Sequence, residues 1–113
     1  MTGFDLVLLG DPVDHSLSPV IQQAALEAAG LAGTYRAMRV DADGFRRACA
    51  DLRAGRWRGA NITMPHKRLA AAETDERSIG AERSGSVNTI VVKGSRLVGH
   101  STDIDAIRRV WRE

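Results

Sequence analysis

Cysteine is almost absent from this chain: Cys49 is the only one in 113 residues, so no internal disulfide framework can hold the fold together. Aromatic residues make up 4% of the sequence, which removes the stacking platform used to bind single-stranded nucleic acid. Sixteen basic residues stand against fourteen acidic ones, and a net charge of +2 is too even to suggest a nucleic-acid partner. No stretch approaches the ~20 apolar residues of a membrane span. Residues 1–10 have neither the basic start nor the long apolar run of a secretory leader. His15, His66 and His100 have no metal-ligand spacing with one another or with Cys49. These absences leave a cytoplasmic protein of one domain, with no nucleic-acid or membrane partner, built on a single hydrophobic core.

What is present alternates between strand and helix signals. Residues 6–9 form a continuous apolar run ending at Gly10, the pattern of a strand buried on both faces. Ser18 and Pro19 open a helix that Gly30 ends, with Ile21, Ala24, Ala25 and Ala28 along one side. A second strand is predicted over 35–40. Asp41 or Asp43 then caps a helix in which Phe45, Ala48, Cys49 and Leu52 share a face, and Gly55 ends it. Cys49 is thus expected to be a buried, inert thiol.

A third strand is predicted over 58–63, followed by Pro65 and an Ala-rich helix over 67–72. Residues 74–85 read as a short helix and turn. Strands at 87–92 and 96–99 are joined by Lys93-Gly94-Ser95, a hairpin signal, and Ile104, Ile107, Val110 and Trp111 stripe a last helix. The expected fold is α/β: a mostly parallel sheet with helices on both faces and an antiparallel hairpin near the C-terminal end.

Three constellations could carry chemistry. Ser16 and Ser18 stand just before a helix start, where backbone N–H groups favour a carboxylate or phosphate; Ser18 could equally be a plain cap. Thr63 ends a strand at the edge where α/β sheets bind ligands. Lys67 follows in the first helical turn, where a cation is disfavoured by ~0.3–1 kcal/mol. A local rule broken at a ligand edge points to function, and a lysine there can serve as a proton donor and acceptor; an exposed lysine turned to water is the plainer reading. Asn88 opens one hairpin strand and Asp103 follows the other. Beside Lys67, Asp103 would complete a carboxylate–ammonium pair able to bind and polarise a hydroxyl, unless it merely caps the helix after it.

In their order along the chain these blocks resemble one family. Residues 10–19, Gly10-Asp11-Pro12-Val13-Asp14-His15-Ser16-Leu17-Ser18-Pro19, resemble the G-x-P-x-x-H-S-x-S-P opening of shikimate dehydrogenases. Residues 59–67, from Gly59 through Asn61, Thr63 and Pro65 to Lys67, resemble their G-x-N-[VI]-T-x-P-x-K segment. Gly85-Ser86-Val87-Asn88-Thr89 and Gly99-His100-Ser101-Thr102-Asp103 resemble the G-[AS]-x-N-T and G-x-N-T-D blocks. Two departures stand out: Ser101 where Asn is usual, and Ala106 where Gly often follows.

The resemblance implies a domain spanning 1–113 that binds shikimate or 3-dehydroshikimate in a cleft facing an NADP-carrying Rossmann domain. Ser16, Ser18 and Thr63 would hold the substrate carboxylate, and Lys67, Asn88 and Asp103 the ring hydroxyls. Lys67 would be the acid/base residue, with Asp103 as its partner. The sequence has no G-x-G-x-x-G between a strand and a helix, so the chain itself is expected to bind no cofactor and to be inactive alone. A separate cofactor-domain chain and a homodimer are then the candidate protein partners. The competing reading is a stand-alone, non-catalytic module for shikimate- or quinate-like hydroxy acids.

Overall fold

The computed structural model describes residues 4–11, 23, 24, 28, 30 and 33–101. The apolar run of the first strand, β1 (Phe4–Gly10), lies inside a six-stranded sheet. On one side it pairs in parallel with β2 (Gly33–Arg39), on the other with β3 (Gly59–Ile62). The sheet continues through β5 (Thr89–Lys93) and β6 (Arg96–His100) to β4 (Glu76–Arg77), in the order β2-β1-β3-β5-β6-β4. β1 with β2, β1 with β3 and β4 with β6 are parallel; β3 with β5 and β5 with β6 are antiparallel. This is the mixed α/β sheet with a late hairpin that the alternation of signals predicts.

Side chains alternate across β1, and both faces are covered. Val7 and Leu9 enter a large core with Phe45, Ala48, Cys49 and Leu52 of α1 (Ala42–Arg53), Ala70 of α2 (Lys67–Glu73) and Ala81 of α3 (Ile79–Ser84). Leu8 turns the other way and packs with Tyr35 and Leu6. The helical face read from the sequence as 45, 48, 49 and 52 is the face that α1 buries. Asp41 caps α1, its Oδ1 accepting from the Gly44 N–H at 2.7 Å, a contact worth about 1 kcal/mol.

The structure departs from the sequence reading at 74–85. That segment holds a two-residue strand before its helix: Glu76 pairs with Val98 and Arg77 with Gly99, at the far edge of the sheet. Two exposed charged residues carry no strand periodicity, so only the neighbouring β6 reveals them. The short edge is also protected against further pairing. At the opposite edge Gln23 does the same for β2: its Oε1 accepts from the Tyr35 N–H at 3.0 Å, and its Nε2 donates to the Gly33 carbonyl at 3.3 Å.

Asp75 fastens the hairpin to the helices. Its carboxylate accepts from Arg53 at the end of α1 and from the Leu97 N–H at 2.8 Å, while Arg53 also donates to the Glu73 carbonyl at 2.9 Å. The Arg53 hydrogen bond, then the Leu97 N–H, hold the Asp75 carboxyl below its usual 3.8. A carboxyl lowered on folding contributes stability above its unfolded pKa and loses it as pH falls through the folded one. Asp75→Asn is therefore expected to lower the melting temperature at neutral pH and to flatten its decline in acid. Parallel acid-melting curves for the two proteins would contradict this.

Candidate functional site

The three strands that run parallel from β1 end on the same edge. Gly10 closes β1, Arg39 closes β2 and Ile62 closes β3, and the antiparallel β5 begins at that edge opposite them. Backbone hydrogen bonds stitch the segments beyond these ends into one rim. Thr63 N donates to the Leu9 carbonyl at 2.9 Å, Asp11 N to Met64 at 3.0 Å, and Val40 N to Gly10 at 3.0 Å. Ile62 N donates to the Asn88 carbonyl at 2.7 Å, Asn88 N to His100 at 2.9 Å, and Val87 N to Lys67 at 2.9 Å. Thr63, Lys67 and Asn88, about twenty-five residues apart from first to last in the sequence, thus meet at one end of the sheet.

Lys67 is the first residue of α2, as its position after Pro65 predicts. The Met64–Pro65 peptide is cis, and His66 N closes the turn on the Thr63 carbonyl at 3.1 Å. His66, to which the sequence assigns nothing beyond the lack of metal spacing, anchors this turn in the core. Its ring is 4% exposed and stacks on Phe45, with centroids 5.4 Å apart and planes at 23°. Nε2 lies 2.6 Å from the Val40 carbonyl, which can only accept, so the ring donates there. Lys67 therefore departs from a backbone pinned on its inner side.

Asn88 is joined to a row of polar groups on the sheet face opposite α1. Tyr35 Oη donates to Asn61 Oδ1 at 2.7 Å, Asn61 Nδ2 to Thr89 Oγ1 at 3.2 Å, and Thr89 Oγ1 to Asn88 Oδ1 at 3.0 Å. The sequence shows Asn61 as part of a motif but gives no sign that Tyr35, far away on β2, would reach it. Burial pushes the Tyr35 phenol from 10.0 up to about 12. Tyr35 is the only tyrosine, so ultraviolet titration reads it alone, and the midpoint is expected near 12. A phenol raised on folding contributes stability that is present below its unfolded pKa and is lost as pH climbs through the folded one. Phenolate appearing near 10 in protein that is still folded would show an open ring.

Ser16, Ser18 and Asp103 lie outside the described residues. Cys49 is buried, and burial first, with Glu73 adding to it, pushes its thiol up to about 12, which leaves it unreactive. Among the described residues no three His, Cys, Asp or Glu side chains are grouped to hold a metal ion, and no helix is long and apolar enough to cross a membrane. Nor do three of the motif glycines make a dinucleotide loop. Gly85 is the left-handed cap of α3, Gly94 lies in the β5–β6 turn, and Gly99 lies within β6, packed so closely that a Cβ would fall 2.7 Å from Val87 Cγ2. None opens a helix as a phosphate-binding glycine must.

Residues 8–90 match the family described as the shikimate dehydrogenase substrate binding domain. A quinate/shikimate dehydrogenase of Escherichia coli is 45% identical over 96 residues, which are 85% of this chain and 33% of the relative. The crystal structure of shikimate 5-dehydrogenase from Thermus thermophilus in complex with shikimate superposes with a TM-score of 0.87 at 36% identity, over 96% of this chain and 42% of that one. The same enzyme in complex with NADP(H) and shikimate gives 0.86 at 36% identity, over 96% and 41%. The chain thus spans about a third of the length of its curated relative and about two fifths of the solved enzymes.

Proposed function

Because this chain belongs to the shikimate dehydrogenase substrate-binding domain family, we propose that it binds shikimate or 3-dehydroshikimate as the substrate half of an NADP-dependent shikimate dehydrogenase. The carrying observation is the convergence of Thr63, Lys67 and Asn88 on one rim of the sheet, in a family whose solved members include shikimate complexes. In this reading the domain spans 1–113, and the dinucleotide is held by a separate domain. We assign the residues of this chain no step at the nicotinamide.

Their share is binding and proton exchange. Ser16 and Ser18, with Thr63, would take the ring carboxylate through hydroxyl and backbone donors. Lys67 and Asn88 would address the ring hydroxyls. Lys67 would exchange the proton at the oxygen that is a carbonyl in 3-dehydroshikimate and a hydroxyl in shikimate, with Asp103 as the carboxylate that steadies the ammonium. Titration of the isotopically labelled chain with shikimate tests this. Saturable amide shifts clustered at Ser16, Ser18, Thr63, Lys67, Asn88 and Asp103 are the expected result. Shifts scattered elsewhere, or none at saturating ligand, would overturn it. A parallel titration with quinate reads which acid is preferred.

A further inference from the structure

Tyr35, Asn61, Thr89 and Asn88 form a directed row of hydrogen bonds, and we propose that this row holds the Asn88 amide in register for the ligand, making Tyr35 and Thr89 positioning residues of the site. The inference rests on Asn88 meeting a ligand hydroxyl, as in the function proposed above.

The direction of the row is set by chemistry. Asn61 Oδ1 can only accept, so the Tyr35 hydroxyl donates to it across 2.7 Å. With its oxygen turned to Tyr35, the Asn61 amide offers Nδ2 to Thr89 Oγ1 at 3.2 Å. Having accepted there, the Thr89 hydroxyl sends its own proton to Asn88 Oδ1 at 3.0 Å. Every donor points from β2 towards Asn88, the arrangement in which successive hydrogen bonds polarise one another. Tyr35 is 6% exposed, packed with Leu8, and burial keeps its phenol protonated far above neutral pH, so the first donor does not lapse.

Two features separate this row from ordinary satisfaction of buried polar groups. His66 and Thr74, also buried, bond to the carbonyls of Val40 and Ala71, as most side-chain hydrogen bonds do; the Tyr35 row runs through side chains to one of the rim. It also crosses the sheet, from β2 over β1 to β3 and β5, so it ties the position of Asn88 to β2, a strand to which the Asn88 backbone makes no hydrogen bond. Asn88 precedes β5 by one residue, and its Oδ1 accepts from Thr89, the first residue of that strand.

The test uses the full chain, labelled for observation of side-chain amides, with Tyr35→Phe, Thr89→Val and the conservative Thr89→Ser. Tyr35→Phe removes the first donor and keeps the ring; Thr89→Val removes the link and keeps the shape. Both are expected to shift the Asn88 side-chain amide resonances and to weaken shikimate binding about five- to ten-fold, the range of one net hydrogen bond. Thr89→Ser keeps the hydroxyl and is expected to stay within about two-fold of the parent protein. Unmoved Asn88 resonances in both disruptive variants would overturn the proposal, as would a serine variant as weak as the valine one. If the parent chain does not bind shikimate, the proposed function fails, and the Asn88 resonances still decide the positioning role. Should Thr89→Val not fold, Tyr35→Phe carries the same readouts.

Discussion

Phe45→Ala is expected to cost about a fifth or more of the stability of this protein and to loosen the turn that presents Lys67. Phe45 is 0% exposed in the first turn of α1, clustered with Val7, Leu9, Ala48, Cys49 and Leu52. Truncating a buried phenylalanine removes about 3–5 kcal/mol, against about 5–15 kcal/mol for a whole domain. The same ring is the surface on which His66 stacks, and His66 holds the Val40 carbonyl immediately before Lys67. Phe45→Leu keeps most of the buried volume and loses the aromatic face. Chemical denaturation should therefore rank the parent above Phe45→Leu and Phe45→Leu well above Phe45→Ala, while the amide shifts of Thr63 and Lys67 should move in both. A loss below about 2 kcal/mol in Phe45→Ala would remove Phe45 from the centre of the core.

The elements that the sequence discloses are those whose cause is local. The apolar run of β1, the four-residue face of α1, the Asp41 cap and the tight turn at Gly94 each follow from neighbours within a few positions. What it hides is set by distant partners. Glu76–Arg77 is a strand because Val98 and Gly99 lie beside it, and nothing in two charged residues announces that. The motif glycines show the same division. Gly59 and Gly99 stand out in the sequence as motif positions, yet the reason for them is spatial. A Cβ on Gly59 would come within 2.8 Å of the Ile90 carbonyl, and one on Gly99 within 2.7 Å of Val87 Cγ2.

The candidate site divides likewise. Thr63 at a strand end, Lys67 in a first helical turn and Asn88 at the start of a hairpin strand are readable from pattern, and the rim brings these three together. The supports beneath them are not readable. His66 acquires its place from Phe45 and Val40, and Tyr35 acquires its own by reaching over β1 to Asn61. These three contacts span 21 to 26 residues of sequence, beyond any local period. A resemblance to known enzymes marks motif positions more readily than the buried side chains packed beneath them.

Lys67→Met is expected to weaken shikimate binding about ten- to one-hundred-fold while leaving the protein as stable as before or slightly more so. A hydrogen bond from a charged group contributes about 1.5–3 kcal/mol, which converts to that range of affinity. The ammonium occupies the first residue of α2, where a positive charge costs ~0.3–1 kcal/mol, so its removal relieves the helix. The backbone of Lys67, whose carbonyl accepts from the Val87 N–H, is untouched by the change, and methionine retains the unbranched stem. Opposite signs in affinity and stability are the mark of a residue kept for its ligand. A lysine serving only the fold would give the reverse: a lower melting temperature with binding unchanged. Lys67→Arg sharpens the distinction, because it preserves the charge and alters the shape and proton affinity of the head group. If charge alone matters, the arginine variant should bind shikimate nearly as the parent does. If a compact ammonium must meet a single ring oxygen, it should fall towards the methionine variant, and that is the outcome the acid/base role of Lys67 requires.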